Sequence, residues 1–161
     1  MPSNRENIMA NLLTAIQGIN GPPTYTNSLG ADNIVSREPL ELIEIHRSQQ
    51  MPAALLQEET QALDDHFEQS AALVPADLTM STFTVSVLAL LTMRTGVNTA
   101  LNAWMADILK AVMVDITRGG AAMDTMLVSI APPRENRVIP DELAAAEMVF
   151  AVKYVHRANS L

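Results

Sequence analysis

Residues 83–93 read Phe-Thr-Val-Ser-Val-Leu-Ala-Leu-Leu-Thr-Met, and Phe83, Val85, Val87, Ala89, Leu91 and Met93 occupy every second position. That alternation puts one set of apolar side chains on one face of an extended strand, which we place over Thr79–Met93. Its other face runs Thr82, Thr84, Ser86, Leu88, Leu90 and Thr92, polar at one end and apolar at the other. The C-terminal end of the strand is therefore expected to be covered on both sides. The period then changes. Leu101, Trp104, Met105, Ile108, Leu109, Val112 and Ile116 recur at three- and four-residue steps, the signature of an amphipathic helix. Thr95 or Asn98 is placed to cap its start. Arg118 is expected in its last turn, where a cation suits the helix dipole, and Gly119 or Gly120 can supply the left-handed residue beyond it. Alternation returns over Asp124–Ile130 and over Ala144–His156, where Met148, Phe150, Val152 and Tyr154 share a face.

Outward from this stretch, Ser3-Asn4-Arg5-Glu6 has the spacing of a capping box. Behind it Ile8, Met9, Leu12, Leu13, Ile16 and Ile19 recur at helical intervals, which predicts a helix over 4–18 ended by Gly18 and Gly21-Pro22-Pro23. Residues 19–31 read as loop, with a short strand possible around Asn33–Arg37. Pro39 can open one helical turn through Leu42, Ile43 and Ile45, and Met51–Glu58 reads as a buried strand. Residues 59–77 form a polar, acidic loop, arm or excursion between strands, and unstructured connections of that length are uncommon in compact domains. The expected fold class is α+β: a mainly antiparallel sheet of about four to five strands flanked by two long helices. The expected organisation is one domain over 1–161, with an acidic loop or arm at about 59–78.

Composition narrows the function. An apolar fraction of 48% lets a core form, and no apolar run approaches the roughly 18 to 20 residues of a membrane helix. No basic-then-apolar leader is visible at the N-terminus, so synthesis in the cytosol is expected. The absence of cysteine removes disulfides and thiolate metal sites. Net charge is -8, and residues 38–77 hold nine acids and one base, so the whole imbalance lies in that segment. Such a segment repels phosphates and argues against tight nucleic-acid binding.

Reactive constellations are scarce. His46, His66 and His156 match no zinc-binding spacing. Asp64-Asp65-His66 has suitable ligand types for a cation, but three adjacent residues on a loop rarely converge on one ion. His156, in a strand tail, is expected to be exposed. Ser81 and Ser86 read as sheet surface, and no Gly-x-Ser-x-Gly nucleophile elbow is present. The pairs Glu58-Glu59 and Asp141-Glu142 point to opposite sides of an extended chain. Thr117-Arg118-Gly119-Gly120 follows a helix, whereas a phosphate cradle precedes one. Met105, Met113, Met148 and Trp104 are expected in the core, with Met93, Met123 and Met126 near an edge. No catalytic, cofactor or metal site is expected.

The chain nevertheless has a familiar pattern. The long strand, then Leu101-Asn102-Ala103-Trp104-Met105-Ala106-Asp107-Ile108, then Asp115-Ile116-Thr117-Arg118-Gly119-Gly120, then two strands ending in Val152-Lys153-Tyr154, resembles tail terminator and tail-completion proteins of long-tailed bacteriophages. The Arg5-Glu6-Asn7-Ile8 helix with its Gly-Pro turn, and Met51-Pro52-Ala53-Ala54-Leu55, are similar to the same family, whereas the acidic excursion is longer than its pattern. The resemblance implies a non-enzymatic virion protein, made in the host cytoplasm and located in the tail or neck. It implies a ring, six-membered, that caps the tail tube. Its partners would be further copies of itself, the tail tube protein and the head–tail connector or stopper. Genomic DNA would pass through without specific binding, with no cofactor and no membrane. Within that reading Glu58, Glu59, Asp64, Asp65 and Glu68 are candidates to face the channel or a neighbouring subunit. The alternatives are another neck protein (a stopper or connector adaptor), a small α+β enzyme, or a ligand-binding domain.

Overall fold

The computed structural model describes residues 3–39, 51–63, 78–133 and 138–157. In chain order these form helix α1 (Asn4–Gln17), strands β1 (Val35–Ser36), β2 (Ala53–Leu63) and β3 (Leu78–Thr92), helix α2 (Val97–Met113), and strands β4 (Asp124–Ala131) and β5 (Leu143–Arg157). The fold is α+β. One mixed, mostly antiparallel sheet runs β1-β2-β3-β5-β4, with β1 parallel to β2 and the other pairings antiparallel. The β3–β5 ladder pairs without interruption from Leu78 opposite Arg157 to Thr92 opposite Leu143 and forms the spine of the sheet.

The alternation seen in the sequence becomes the main core. Phe83, Val85, Val87, Ala89 and Leu91 of β3 join Met148, Phe150, Val152 and Tyr154 of β5 in one buried cluster. Ile8, Met9, Leu12 and Ile16 of α1 and Trp104, Ile108 and Val112 of α2 belong to the same cluster, so both helices pack on this face. Each large apolar side chain fully buried contributes about 1.5–3 kcal/mol. Trp104 also donates its indole N–H to the Ala53 carbonyl at 2.9 Å, tying α2 to β2. Ala53, Leu55, Leu88 and Leu90 form a second buried cluster. Strand alternation puts Leu88 and Leu90 on the reverse face, so the C-terminal half of β3 is covered on both sides, as its composition predicts.

Ser3 caps α1 as expected, its hydroxyl accepting from the Glu6 N–H at 3.2 Å. The Glu6 carboxylate, however, meets Arg37 at 2.5 Å, so the capping box is taken up by a tertiary ion pair. The cap of α2 differs from the expectation: Gly96, at φ 75, precedes the helix without a side-chain cap. The helix also stops earlier, at Met113. Ile116 and Met113 are consequently exposed rather than core. Asp115 builds the turn that ends it, accepting from the Thr117 N–H (3.0 Å), the Thr117 hydroxyl (2.7 Å) and the Gly119 N–H (2.6 Å). Arg118, Gly119 and Gly120 follow with φ of 51, 68 and 84, so the arginine itself takes a left-handed conformation and lies outside the helix.

β2 is longer than its sequence indicated. It continues through Leu63, and residues 59–63, expected in the acidic excursion, are strand. Their polar composition hid a ladder that is irregular between Glu58 and Gln61. The helical turn considered near Leu42 lies outside the described residues. Asp107, buried on the inner side of α2, accepts from the backbone N–H groups of Thr26 (3.0 Å) and Asn27 (2.7 Å) and from the Asn27 side-chain amide (2.8 Å). These three bonds hold the loop after α1 against α2. Among the described residues no helix is long and apolar enough to cross a membrane.

Candidate functional site

The polar groups of greatest chemical interest converge at one corner of the sheet. β2 carries Glu58 there, β3 carries Ser81 and Phe83, and β5 carries Tyr154 and His156. The first turn of α1 lies across these strands, tied by the Asn4 side-chain amide donating to the Val155 carbonyl at 2.8 Å. Arg5 reaches down from it, 2.8 Å from Glu58 and 5.2 Å from the centre of the Phe83 ring. Arg37, just beyond β1, reaches Glu58 at 3.6 Å while pairing with Glu6. The Arg37 guanidinium holds the Glu6 carboxyl below the usual carboxylate range. Glu58 thus acts as a clasp between two arginines from different parts of the chain.

Beneath the clasp, Ser81 Oγ lies 2.9 Å from His156 Nε2, and His156 Nδ1 lies 2.8 Å from the Arg157 carbonyl. A carbonyl only accepts, so Nδ1 carries the proton in the neutral ring and Nε2 is free to accept from the Ser81 hydroxyl. This is the hydrogen-bond order of a serine nucleophile and its base. Burial argues against that use. Ser81 has no exposed surface and His156 is 8% exposed, so an acyl substrate has no approach to the hydroxyl. The pair serves as a cross-strand lock between β3 and β5. Both serines and His156 therefore depart from the sequence reading: Ser81, Ser86 and His156 are all buried. For Ser81 and His156 the cause is that the first turn of α1 lies across this corner; Ser86 is on the reverse face, where it meets Glu147.

Tyr154 completes the corner. Its ring meets Phe83 edge-on (5.6 Å between centroids) and lies tilted on His156 (5.4 Å). Its hydroxyl is buried without a hydrogen-bond partner. Burial pushes the phenol up from its ordinary range, with Arg5 opposing and Glu58 reinforcing the shift.

Of the five acids singled out from the sequence, Glu58 and Glu59 lie on β2, and both are half-buried. Asp64, Asp65 and Glu68 lie outside the described residues, as does the Asp64-Asp65-His66 triplet. No group of three or more metal-binding side chains occurs among the described residues.

Sequence reading missed two further polar features. Ser86 donates to the Glu147 carboxylate, and both are buried. Arg118 is 2% exposed, donates to the Val112 carbonyl and, at 3.4 Å, to the Asn11 side chain. Burial lowers its ionisation range, with Asp115 opposing. It lines an open hollow of about 220 Å³ together with Asn11, Thr14, Tyr25 and Asp115. The signals existed: a glutamate among alanines in Leu143–Met148, and an arginine ahead of two glycines. Both types are usually solvent-facing, which is why neither stood out.

Taken together, these groups bind the chain to itself: arginine to glutamate, serine to histidine, serine to glutamate, and arginine to a helix end. No family model matches this chain, and no curated protein does either.

Proposed function

We propose that this chain is a structural virion protein, a tail terminator that forms a six-membered ring on the tail tube of a long-tailed bacteriophage and joins it to the head connector. The reading starts from the resemblance in element order and motifs. One observation of the fold carries it further: among the described residues, the exposed apolar side chains and the acids Glu58 and Glu59 lie on different strands. The segment holding the net charge is bounded by Glu38 and Asp77 and includes the half-buried Glu58 and Glu59 of β2. The exposed apolar residues gather instead on and around β4, two strands removed from β2 across β3 and β5. A subunit that closes into a ring needs apolar contact faces and, on its lumen, a surface that does not retain DNA. The inward-turned polar groups support a role carried by shape. The alternative of another neck protein, a stopper or connector adaptor, shares these needs and differs in the partner it would bind.

The lumen is tested by charge. Replacing Glu59, Asp64, Asp65 and Glu68 together by lysine is expected to leave ring mass unchanged and to slow DNA passage in assembled particles, measured as genome ejected per particle. Glu58 is left out because its reversal would set three cations together. Unchanged assembly and unchanged ejection would remove these acids from the channel.

A further inference from the structure

Arg118 is the one arginine or lysine buried among the described residues, and it forms no ion pair with them. Its Nη2 donates to the Val112 carbonyl, and its Nη1 reaches the Asn11 side chain at 3.4 Å. Its Nε–H is buried without an acceptor. A guanidinium carries five N–H donors in a fixed fork, so much of its capacity is left over. A buried donor without a partner costs about 1–3 kcal/mol. The backbone adds strain: Arg118, at φ 51, is the only described residue other than glycine in the left-handed region. Such strain collects at ligand sites. Asp115 already builds the turn that ends α2, so capping the helix does not by itself call for a strained, buried arginine. What Arg118 borders is the hollow between α1 and the end of α2.

The lining of that hollow selects a class of ligand. Asp115 shares it with Arg118. Hydrogen bonds from the Thr117 side chain and the Gly119 N–H hold the Asp115 carboxyl below the usual carboxylate range, so it is charged at neutral pH. A bare anion drawn to Arg118 meets this carboxylate, and a bare cation drawn to Asp115 meets the guanidinium. A molecule carrying both charges satisfies both groups. Ala15, Ala111 and Val114 add apolar contact. The volume of about 220 Å³ lies below the roughly 300 Å³ at which sites for drug-sized ligands begin, which suits a small molecule. The wall carrying Tyr25 is fixed, because Lys110 donates to the Thr24 carbonyl at 2.7 Å and Asp107 accepts from the Thr26 N–H at 3.0 Å. A site with fixed walls loses less free energy to ordering when it binds.

We infer that the hollow between α1 and the end of α2 binds a small apolar α-amino acid, its carboxylate toward Arg118 and its ammonium toward Asp115. This stands apart from the ring reading, and neither depends on the other. The test is an NMR titration of the full chain with L-valine, isovalerate and isobutylamine, the last two keeping the valine side chain and one charge each. The expected result is that L-valine moves the amide signals of Ala15, Tyr25 and Gly119 with a dissociation constant of about 1 mM or tighter, and that each single-charge compound binds at least about tenfold more weakly. Ala15→Phe, which fills the hollow from α1 and leaves both charged groups in place, is expected to abolish the valine shifts. The comparison of the three compounds on the wild type needs no variant to fold. No shift with excess L-valine, or equal binding of all three compounds, overturns the inference. Valine shifts that a folded Ala15→Phe leaves unchanged overturn it as well.

Discussion

Tyr154 shows most sharply how a single residue here is shaped by its surroundings. It has no exposed surface, and its hydroxyl has no partner. A buried, unpaired hydroxyl costs about 1–3 kcal/mol. Tyr154→Phe keeps the ring contacts with Phe83 and His156 and removes that cost. The variant is expected to be more stable by about 1 kcal/mol, read as a higher urea midpoint at unchanged slope. The pH dependence has a definite sign. The phenol titrates higher folded than unfolded, so its contribution is complete below its unfolded value. It is lost as pH rises from about 10 through the folded value. Tyr154→Phe should flatten that alkaline decline. Equal slopes in wild type and variant between pH 9 and 11 would contradict the assignment. Glu6 behaves oppositely, being held low by Arg37. Its contribution is present at neutral pH and fades as pH falls below about 4.5, and it is small because the pair is exposed to solvent.

At the scale of elements, the chain depends on polar anchors that join pieces distant in sequence. Asp107 is the plainest. One buried carboxylate fixes Thr26 and Asn27 to α2 across 80 residues of chain. Asp107→Ala leaves two backbone N–H groups without their acceptor and is expected to cost about 1–3 kcal/mol. Amide exchange at Thr26 and Asn27 should rise by more than tenfold while exchange in β3 and β5 shifts only with global stability. Uniform change throughout would show that the loop has no separate anchor. The same anchors mark where sequence reading ended. Alternation in Phe83–Met93 and Met148–Tyr154 fixed two strands and the core face, because burial imposes that period directly. The bounds of α2 were less legible: Ile116 continues the apolar spacing, but Asp115 draws the chain into a turn through hydrogen bonds that no periodicity records. The extension of β2 to Leu63 was hidden for a related reason, since Glu59, Thr60 and Gln61 look like loop, yet the ladder resumes at Gln61 opposite Phe83 of β3. The corner built by Arg5, Arg37, Glu58, Ser81 and His156 was the least legible. Its members are spread over 152 positions and meet only once α1 is laid on the sheet.

For the whole molecule, the distribution of surface chemistry bears on function more than any one group does. The described polar clusters are consumed in holding the fold, and the exposed apolar residues are concentrated on the β4 side. Apolar area left uncovered at this scale marks a surface that meets another protein. In the proposed ring such a surface would be covered by a neighbouring protein. The central claim is that identical copies assemble, and native mass reads it directly. On the proposed reading the chain should give, alone or with a tail tube protein added, a discrete species near 105 kDa, six times the 17.5 kDa protomer. A species that remains at 17.5 kDa alone and with that tube protein would contradict the account.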